Sequence, residues 1–255
     1  MLINSYEERC QRQQAKRELV LNFLATEVWT GFSVLQRVLD LSEPATLRTL
    51  GALERDGLIR RHRVDELRAS IWGITAQGLV MGGPVEEPII VIGSRTFEPS
   101  KVKPLGVAHK LSTQEARLAA ERAGWTDWRA TPETATRHHI QPDAVARDIA
   151  GRAVAIEVER TVKSKKRYEA IFAAYLQIIK SGEIDLIHYV CPDRDFAPRL
   201  ARMFSTIKAV PILGERVTLN DRHRARFQVY PMETWPLEGG IDIFDRTNVN
   251  ESQAG

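Results

Sequence analysis

The chain has 255 residues, 43% hydrophobic side chains and a net charge of only +3, so it has room for two folded domains, and its basic character is local rather than global. Its two cysteines, Cys10 and Cys191, lack a partner motif, which predicts a cytoplasmic protein without a zinc site. The sequence contains neither a run of about 18 apolar residues nor a signal-peptide core, so we expect no membrane insertion.

The first third of the chain contains three predicted helices followed by a hairpin. Helices are predicted over residues 18–26, over residues 32–41, and from Ser42 to about residue 56, with Ser42 as N-cap and Pro44 in the first turn. The third helix ends in Leu-Glu-Arg-Asp-Gly-Leu-Ile-Arg-Arg, and residues 68–75 are predicted to return as the second strand of the hairpin.

This order of helices, glycine stop and hairpin, over about residues 17–80, resembles the winged helix-turn-helix of bacterial regulators. The resemblance implies that the third helix enters a major groove of DNA while the hairpin, or wing, contacts phosphates. Leu47, Leu50 and Leu53 are predicted to face the core. The predicted DNA-contacting residues are Thr46, Arg48, Thr49 and Arg55 on the helix and Arg60, Arg61, Arg63 and Arg68 on the wing. A winged helix used for protein contact or dimerisation is the alternative.

A second predicted hairpin carries acidic residues. Residues 153–159 alternate between large apolar side chains and small or acidic ones, which predicts a strand with one face in a core. A weaker strand covers residues 144–148. If the turn centres near Ala150, Asp143 lies opposite Glu157, and both carboxylates meet at the open end of the hairpin. A slip of one residue in the register would separate them.

The run Pro142-Asp143, thirteen intervening residues and Glu157-Val-Glu159 resembles the PD-(D/E)XK, or restriction-endonuclease-like, nuclease fold. This resemblance covers about residues 105–235. It implies a phosphodiester-cleaving site in which Asp143, Glu157 and Glu159 hold Mg²⁺ or Mn²⁺.

The chain departs from that pattern at the third position, where Glu159 stands in place of the usual lysine. Lys163, Lys165 and Lys166 in the following segment are all available for the role of that lysine, which is to orient water and offset charge on the phosphate, and Lys163 is the one assigned to it. Lys165 and Lys166 are predicted to contact DNA. Tyr168 belongs to the apolar stripe of the next helix and is therefore predicted to be a core residue rather than a nucleophile.

Glu115, on a helix predicted over residues 111–122, has two interpretations that both stay open. Many members of the resembled superfamily have an acidic site residue on the first helix of the core, which makes Glu115 a catalytic candidate. The run Ser112-Thr-Gln-Glu115 is also a capping box, in which Glu115 would accept from the Ser112 amide. His109, just before this helix, is predicted to be a loop residue.

The whole pattern predicts an α+β or α/β protein in which a winged helix-turn-helix precedes a restriction-endonuclease-like core. The remaining elements of that core are predicted as helices over 164–179 and 194–207 and strands over 185–191 and 226–230. The predicted divisions of the chain are a DNA-binding domain over 1–83, a linker over 84–104, a nuclease-like domain over 105–236 and a flexible tail over 237–255.

A winged helix followed by such a core resembles the MOBC class of plasmid mobilisation relaxases. The resemblance is carried by the winged helix and by the run from Pro142-Asp143 to Glu157-Val-Glu159-Arg-Thr-Val-Lys163. Membership would imply nicking one strand of double-stranded DNA at a plasmid transfer origin, with an accessory mobilisation or coupling protein as a further partner. Most other relaxases use a histidine triad, but here His138 and His139 are adjacent and no third histidine is suitably spaced. Two alternatives stay open: another endonuclease of this fold, of transposon-end or restriction type, and a non-catalytic relaxosome or replication accessory protein.

Overall fold

The computed structural model describes residues 5–82, 95–131, 140–237 and 239–241. Both helices and β-sheets are present, so the predicted mixed α+β class is confirmed. Within those ranges no helix is long and apolar enough to cross a membrane. The adjacent pair His138 and His139 and most of the predicted tail over 237–255 lie outside the described residues.

The chain divides into two compact units, Met1–Gln114 and Glu115–Gly255. In the first unit Phe97 packs with Val64, Ile71 and Val107 in one apolar cluster. The sequence places a linker over 84–104 and starts the second domain at residue 105. The division at residues 114 and 115 falls later, because the segment around Phe97 and the beginning of the next helix pack within the first unit.

The first unit consists of helices around a three-stranded antiparallel sheet. Its elements are α1 (Tyr6–Glu27), β1 (Trp29–Gly31), α2 (Phe32–Leu39), α3 (Glu43–Arg55), β2 (Ile59–Val64), β3 (Ala69–Ile74), α4 (Ala76–Gly82) and the beginning of α5 (Pro104–Arg122). The strands pair in the order β1-β3-β2. Its largest core cluster includes Leu24, Leu35, Leu50 and Trp72, so α1, α2 and α3 each bury one apolar face against the sheet or one another.

The orientation of α3 differs from the predicted one. Its buried residues are Thr46, Leu50 and Leu53, which follow the i, i+4, i+7 spacing of one helix face. Leu47 is 46% exposed, so the predictions that Leu47 faces the core and that Thr46 faces solvent are wrong. Burial of Thr46 is tolerated because its hydroxyl donates to the Ser42 carbonyl at 3.1 Å. Ser42 occupies the N-cap position, but its side chain makes no capping hydrogen bond.

α1 is longer than the helix predicted over 18–26. It begins at Tyr6, where the Ser5 side chain accepts a hydrogen bond from the Glu8 amide at 3.1 Å. Residues 5–15 are exposed and therefore carry no apolar periodicity from which this part of the helix could have been predicted.

α5 begins at Pro104, well before the predicted start at residue 111. Proline is favourable at the first position of a helix because the missing amide hydrogen has no partner there anyway. Ser112 therefore lies inside the helix, and the predicted capping box between Ser112 and Glu115 is wrong. The prediction that His109 is a loop residue is wrong for the same reason.

The second unit is built on a five-stranded mixed sheet of order β10-β7-β6-β5-β4. Its elements after α5 are β4 (Thr126–Ala130), β5 (Ala144–Arg147), β6 (Ala153–Val158), α6 (Lys165–Ser181), β7 (Leu186–Cys191), α7 (Phe196–Ser205), β8 (Ala209–Ile212), β9 (Glu215–Thr218), α8 (Asp221–Arg224) and β10 (Phe227–Pro231). β4, β5 and β6 are antiparallel, whereas β6, β7 and β10 run parallel. The predicted elements from β5 to α7, and β10, are confirmed, whereas β4, the β8–β9 hairpin and α8 were not predicted.

Both faces of the central strand β6 are buried. Val154, Ile156 and Val158 belong to a cluster that also contains Ala116 and Ala120 of α5. The opposite face belongs to a second cluster, in which Ala155 joins aromatic residues of α6 and α7. Because side chains alternate along a strand, Glu157 and Glu159 lie on this second face, beneath α6.

The packing of β3 can be tested with a glycine substitution. At Gly73 an added Cβ would overlap the side chain of Phe97, so Gly73→Ala should lower the free energy of unfolding by about 1–3 kcal/mol, as overpacking does. Thermal or urea denaturation measures the change. Gly106→Ala is the matched control, because a Cβ there meets no atom within 4 Å. Unfolding of both variants at the wild-type midpoint would contradict the packing around Phe97.

Candidate functional site

The register of the β5–β6 hairpin brings Asp143 and Glu157 together, as the sequence predicts. Ala144 is paired with Ile156, so the next position outward sets Asp143 opposite Glu157. One carboxylate oxygen of Asp143, Oδ2, accepts a hydrogen bond from the Val158 amide at 2.7 Å. This contact fixes the Asp143 side chain against the end of β6.

The turn that sets this register is held by its own polar groups. Gly151 has a φ of 77°, a conformation that glycine adopts without steric cost. Oδ1 of Asp148 accepts from the amides of Ala150 and Arg152, both at 2.9 Å. The turn therefore resists the slip that would separate the two carboxylates.

Burial and the nearby charge of Asp143 raise the pKa of Glu157 to about 8. The Tyr175 hydroxyl donates to Oε1 of Glu157, and this bond and the positive charge of Lys163 act in the opposite direction. Two crowded carboxylates favour either a shared proton or a bound cation. The pair is therefore electrostatically suited to a cation.

Glu159 is engaged differently from Glu157. It is only 4% exposed, and its Oε2 accepts from the Tyr168 hydroxyl at 3.0 Å and pairs with the ammonium of Lys163. The Tyr168 hydroxyl in turn accepts from the Lys163 amide at 3.1 Å. Glu159 and Tyr168 thus fix Lys163 in the segment between β6 and α6. The prediction that Tyr168 is a core residue is confirmed.

Three buried tyrosines surround the acidic residues, and two of them, Tyr175 and Tyr189, were not predicted from the sequence as members of the site. Tyr175 contacts Glu157 from α6, and Tyr189 of β7 is the register partner of Glu157. Burial raises the pKa of both hydroxyls, so they stay protonated. The Tyr189 hydroxyl has no hydrogen-bond partner among the described residues. The seven-residue spacing of Tyr168 and Tyr175, which places both on one face of α6, is the signal that could have identified Tyr175 as a donor to the site.

The other predicted residues of this site are less closely placed. Glu115 is half-buried on α5, and no hydrogen bond or ion pair in the described part of the chain joins it to Asp143 or Glu157. Lys165 and Lys166 are exposed in the first turn of α6. Across the described ranges, no group of three or more histidine, cysteine, aspartate or glutamate side chains could hold a metal ion.

The arginines predicted to contact DNA are all exposed in the first unit: Arg48, Arg55, Arg60, Arg61, Arg63 and Arg68. On the β2–β3 hairpin, Nε and Nη2 of Arg61 donate to Ser70 Oγ at 3.0 Å, and its guanidinium lies 5.4 Å from the Trp72 ring centroid. Arg63 pairs with Asp65. Thr46 is buried and cannot contact DNA, so that prediction is wrong, and the half-buried Thr49 donates to the Ala45 carbonyl.

The raised pKa of Glu157 predicts a pH-dependent stability when chelator keeps divalent cations away. Between its ordinary value of 4.5 and about 8, the folded state holds a proton that the unfolded state has released, so the free energy of unfolding should fall as pH rises through this range. Glu157→Gln keeps an acceptor for Tyr175 and removes the charge. The free energy of unfolding of Glu157→Gln should exceed that of the wild-type protein by on the order of a few kcal/mol above about pH 8, and the two should be equal near pH 4.

Urea denaturation across this pH range measures the effect. Asp127→Asn is the control, because Asp127 is an exposed carboxylate that pairs with Arg147 on the surface, and it should leave the pH profile unchanged. A Glu157→Gln protein whose stability follows the wild-type profile would contradict the raised pKa.

Comparison with known proteins places these residues in a family. The family model described as replication-relaxation matches residues 21–188, which is more than half of the chain. The matched span runs from α1 into β7 and so includes the β2–β3 hairpin, the carboxylate pair and Lys163. No curated protein and no solved structure matches the chain. The chain therefore belongs to the replication-relaxation family, which suggests a role in plasmid replication or relaxation.

Proposed function

We propose that this protein nicks DNA at a plasmid transfer origin, binding the duplex through its first unit and cutting one strand at a metal-dependent site in its second. The observation that carries the proposal is the carboxylate pair of Asp143 and Glu157 at the open end of the β5–β6 hairpin. Lys163 supplies a positive charge beside this pair. Membership in the replication-relaxation family supports DNA as the substrate.

The order of elements in the first unit supports a winged helix-turn-helix domain within about residues 1–83. A helix, a short strand, two helices and a hairpin follow one another, and α3 stands where the recognition helix of that fold does. Exposed Arg48 and Arg55 lie on α3. The wing arginines would add affinity through phosphate contacts without reading the base sequence.

The order of elements from α5 onward supports a restriction-endonuclease-like core within about residues 105–236. β5 and β6 form an antiparallel hairpin, α6 follows, and β7 returns parallel to β6. The acidic residues stand at the end of β6, just before α6 begins. Exposed Lys165 and Lys166 open that helix, so the same stretch of chain offers both acceptors for a cation and donors for DNA phosphates.

Asp143 and Glu157 fit a Mg²⁺ or Mn²⁺ ion by the chemistry of their donor set. Mg²⁺ commonly takes one or two protein carboxylates and fills its other positions with water and substrate phosphate oxygens. A bound ion would supply an activated water and stabilise charge on the scissile phosphate. The repulsion that raises the pKa of Glu157 would also be relieved by a dication.

The contacts of Glu159 support a positioning role for it rather than the role of metal ligand or base. Its Oε2 already accepts from Tyr168 and pairs with Lys163. The ammonium of Lys163 is thereby held where it can offset negative charge on the phosphate. In this proposal Lys163 takes the part of the lysine that the third position lacks.

A non-catalytic accessory DNA-binding protein is the second candidate. It is favoured by the finding that, in the described part of the chain, no set of three or more potential ligands could hold a metal ion. In that case the exposed arginines of the first unit would carry the function, and the carboxylate pair would be a remnant. Cleavage assays separate the two candidates.

The nicking proposal predicts a metal-dependent activity that Asp143 controls. The protein should convert supercoiled plasmid carrying its candidate transfer origin to open circles in Mg²⁺ or Mn²⁺ but not in chelator. Asp143→Asn keeps an oxygen for the Val158 amide and removes the charge. It should therefore cut at least about 100-fold more slowly than the wild-type protein and bind the DNA with the wild-type affinity.

Asp127→Asn makes the same chemical change at a surface ion pair of the same unit and should cut at the wild-type rate. Cutting by Asp143→Asn at that rate would put the active site elsewhere. A shifted DNA band without cleavage by the wild-type protein would favour the accessory candidate.

Binding by the wing predicts a salt dependence that follows its charge. Arg61→Ala should weaken binding to duplex DNA and reduce the slope of log affinity against log salt by about one, because one phosphate contact is lost. Ser70→Ala is the matched variant, since it releases the Arg61 guanidinium but keeps the charge, and its slope should stay at the wild-type value. Equal slopes for all three proteins would exclude Arg61 from the DNA contact.

A further inference from the structure

α3 presents an exposed face that its packing does not explain. With Thr46, Leu50 and Leu53 in the core, Leu47 and Arg48 lie outward. Leu47 is 46% exposed. A single exposed leucine is ordinary on a protein surface, so Leu47 gains meaning only from its neighbours.

The first neighbour is Gly51, one helical turn after Leu47. Glycine inside a helix lowers stability relative to alanine. At Gly73 and Gly78 the packing of this chain accounts for glycine, because an added Cβ would overlap the side chain of Phe97 at the first position and the carbonyl oxygen of Leu58 at the second. At Gly51 an added Cβ would meet only Nη1 of Arg55, at 3.9 Å. No contact within the described residues therefore requires glycine there.

The other neighbours are cations. Arg48 and Arg55 are exposed on either side of Gly51. The acidic residues of α3 lie near its two ends: Glu43 is exposed in the first turn, and Glu54 accepts a hydrogen bond from Trp72 Nε1 at 2.6 Å. Two exposed arginines thus stand beside a small apolar step between these ends, which suits a polyanion with an apolar feature inside its groove.

We propose that this face of α3 lies in the major groove of duplex DNA, with Leu47 against thymine methyl groups and Gly51 allowing the helix to approach the bases. The proposal rests on the proposed DNA binding by the first unit. Thymine presents a methyl group as the apolar feature of the major groove. Leucine has no side-chain donor or acceptor and can read only that feature. Leu47 is therefore a specificity-determining residue.

The test begins with a library of duplexes that have a randomised centre, from which the wild-type protein selects its preferred site. Each thymine of that site is then replaced by deoxyuridine, which removes only the methyl group. At one or two positions the wild-type affinity should fall about three- to fivefold, the effect of one buried methyl-sized group. Leu47→Ala should bind the thymine and deoxyuridine duplexes equally.

Gly51→Ala supplies a second test, because we expect it to change stability and DNA affinity in opposite directions. Its thermal midpoint should equal or exceed the wild-type value, while its affinity for the selected site should fall about tenfold or more, because the added methyl group keeps α3 from the bases. Gly106→Ala, a helical glycine in open space, should leave the affinity unchanged. A merely structural role for Gly51 would lower the midpoint and leave the affinity of the folded protein unchanged.

The outcomes separate this inference from the function on which it rests. The role of Leu47 would be overturned, with DNA binding intact, by either of two results. The thymine methyl groups of the selected duplex could affect wild-type and Leu47→Ala binding equally, or they could affect neither. Failure to bind any duplex would overturn both. Loss of the methyl effect in Leu47→Ala alone, together with weak binding by a stable Gly51→Ala protein, is the expected result.

Discussion

The hydrogen-bonded register of the β5–β6 hairpin is the constraint on which the chemistry of the second unit depends. The turn around Gly151, held by Asp148, sets Ala144 opposite Ile156. This register forces Asp143 and Glu157 together at a buried strand end, which disfavours two negative charges. A slip of one residue would turn Glu157 to the opposite face of the sheet and dissolve the pair. The turn around Gly151 therefore determines whether the two carboxylates meet at the other end of the hairpin.

The elements that bury the acidic residues also supply the groups that compensate them. α6 covers this face of β6 and contributes the hydroxyls of Tyr168 and Tyr175, whose rings lie in the core while their oxygens reach Glu159 and Glu157. A tyrosine suits this position because its body is apolar and its tip is polar. Lys163 adds a positive charge from the segment between β6 and α6. One helix thus both closes the core and fixes the polar groups of the candidate site.

The sequence predicts the part of this site that depends on strand periodicity, and it misses the part that depends on the side-chain contacts of a neighbouring element. Alternation in β6 and a glycine turn suffice to set Asp143 opposite Glu157. The pairing of Glu159 with Lys163 and Tyr168 depends on how α6 packs, which periodicity does not specify. On α3 a three-residue repeat of leucines suggests a core stripe. The helix instead buries Thr46, because the 3.6-residue period aligns it with Leu50 and its hydroxyl finds a backbone acceptor.

Two places in the chain carry residues that lower local stability, and the cause differs between them. In the second unit Glu157 is half-buried beside a like charge, an unfavourable arrangement that a cation or a proton would relieve. In the first unit Leu47 is exposed, and Gly51 stands inside the continuous helix α3 without a packing reason, which an approaching surface would explain. Natural sequences concentrate such inconsistencies at functional sites. The charges around each place agree with this division, since acidic residues gather where a cation would sit, and arginines flank the helix that would meet a polyanion.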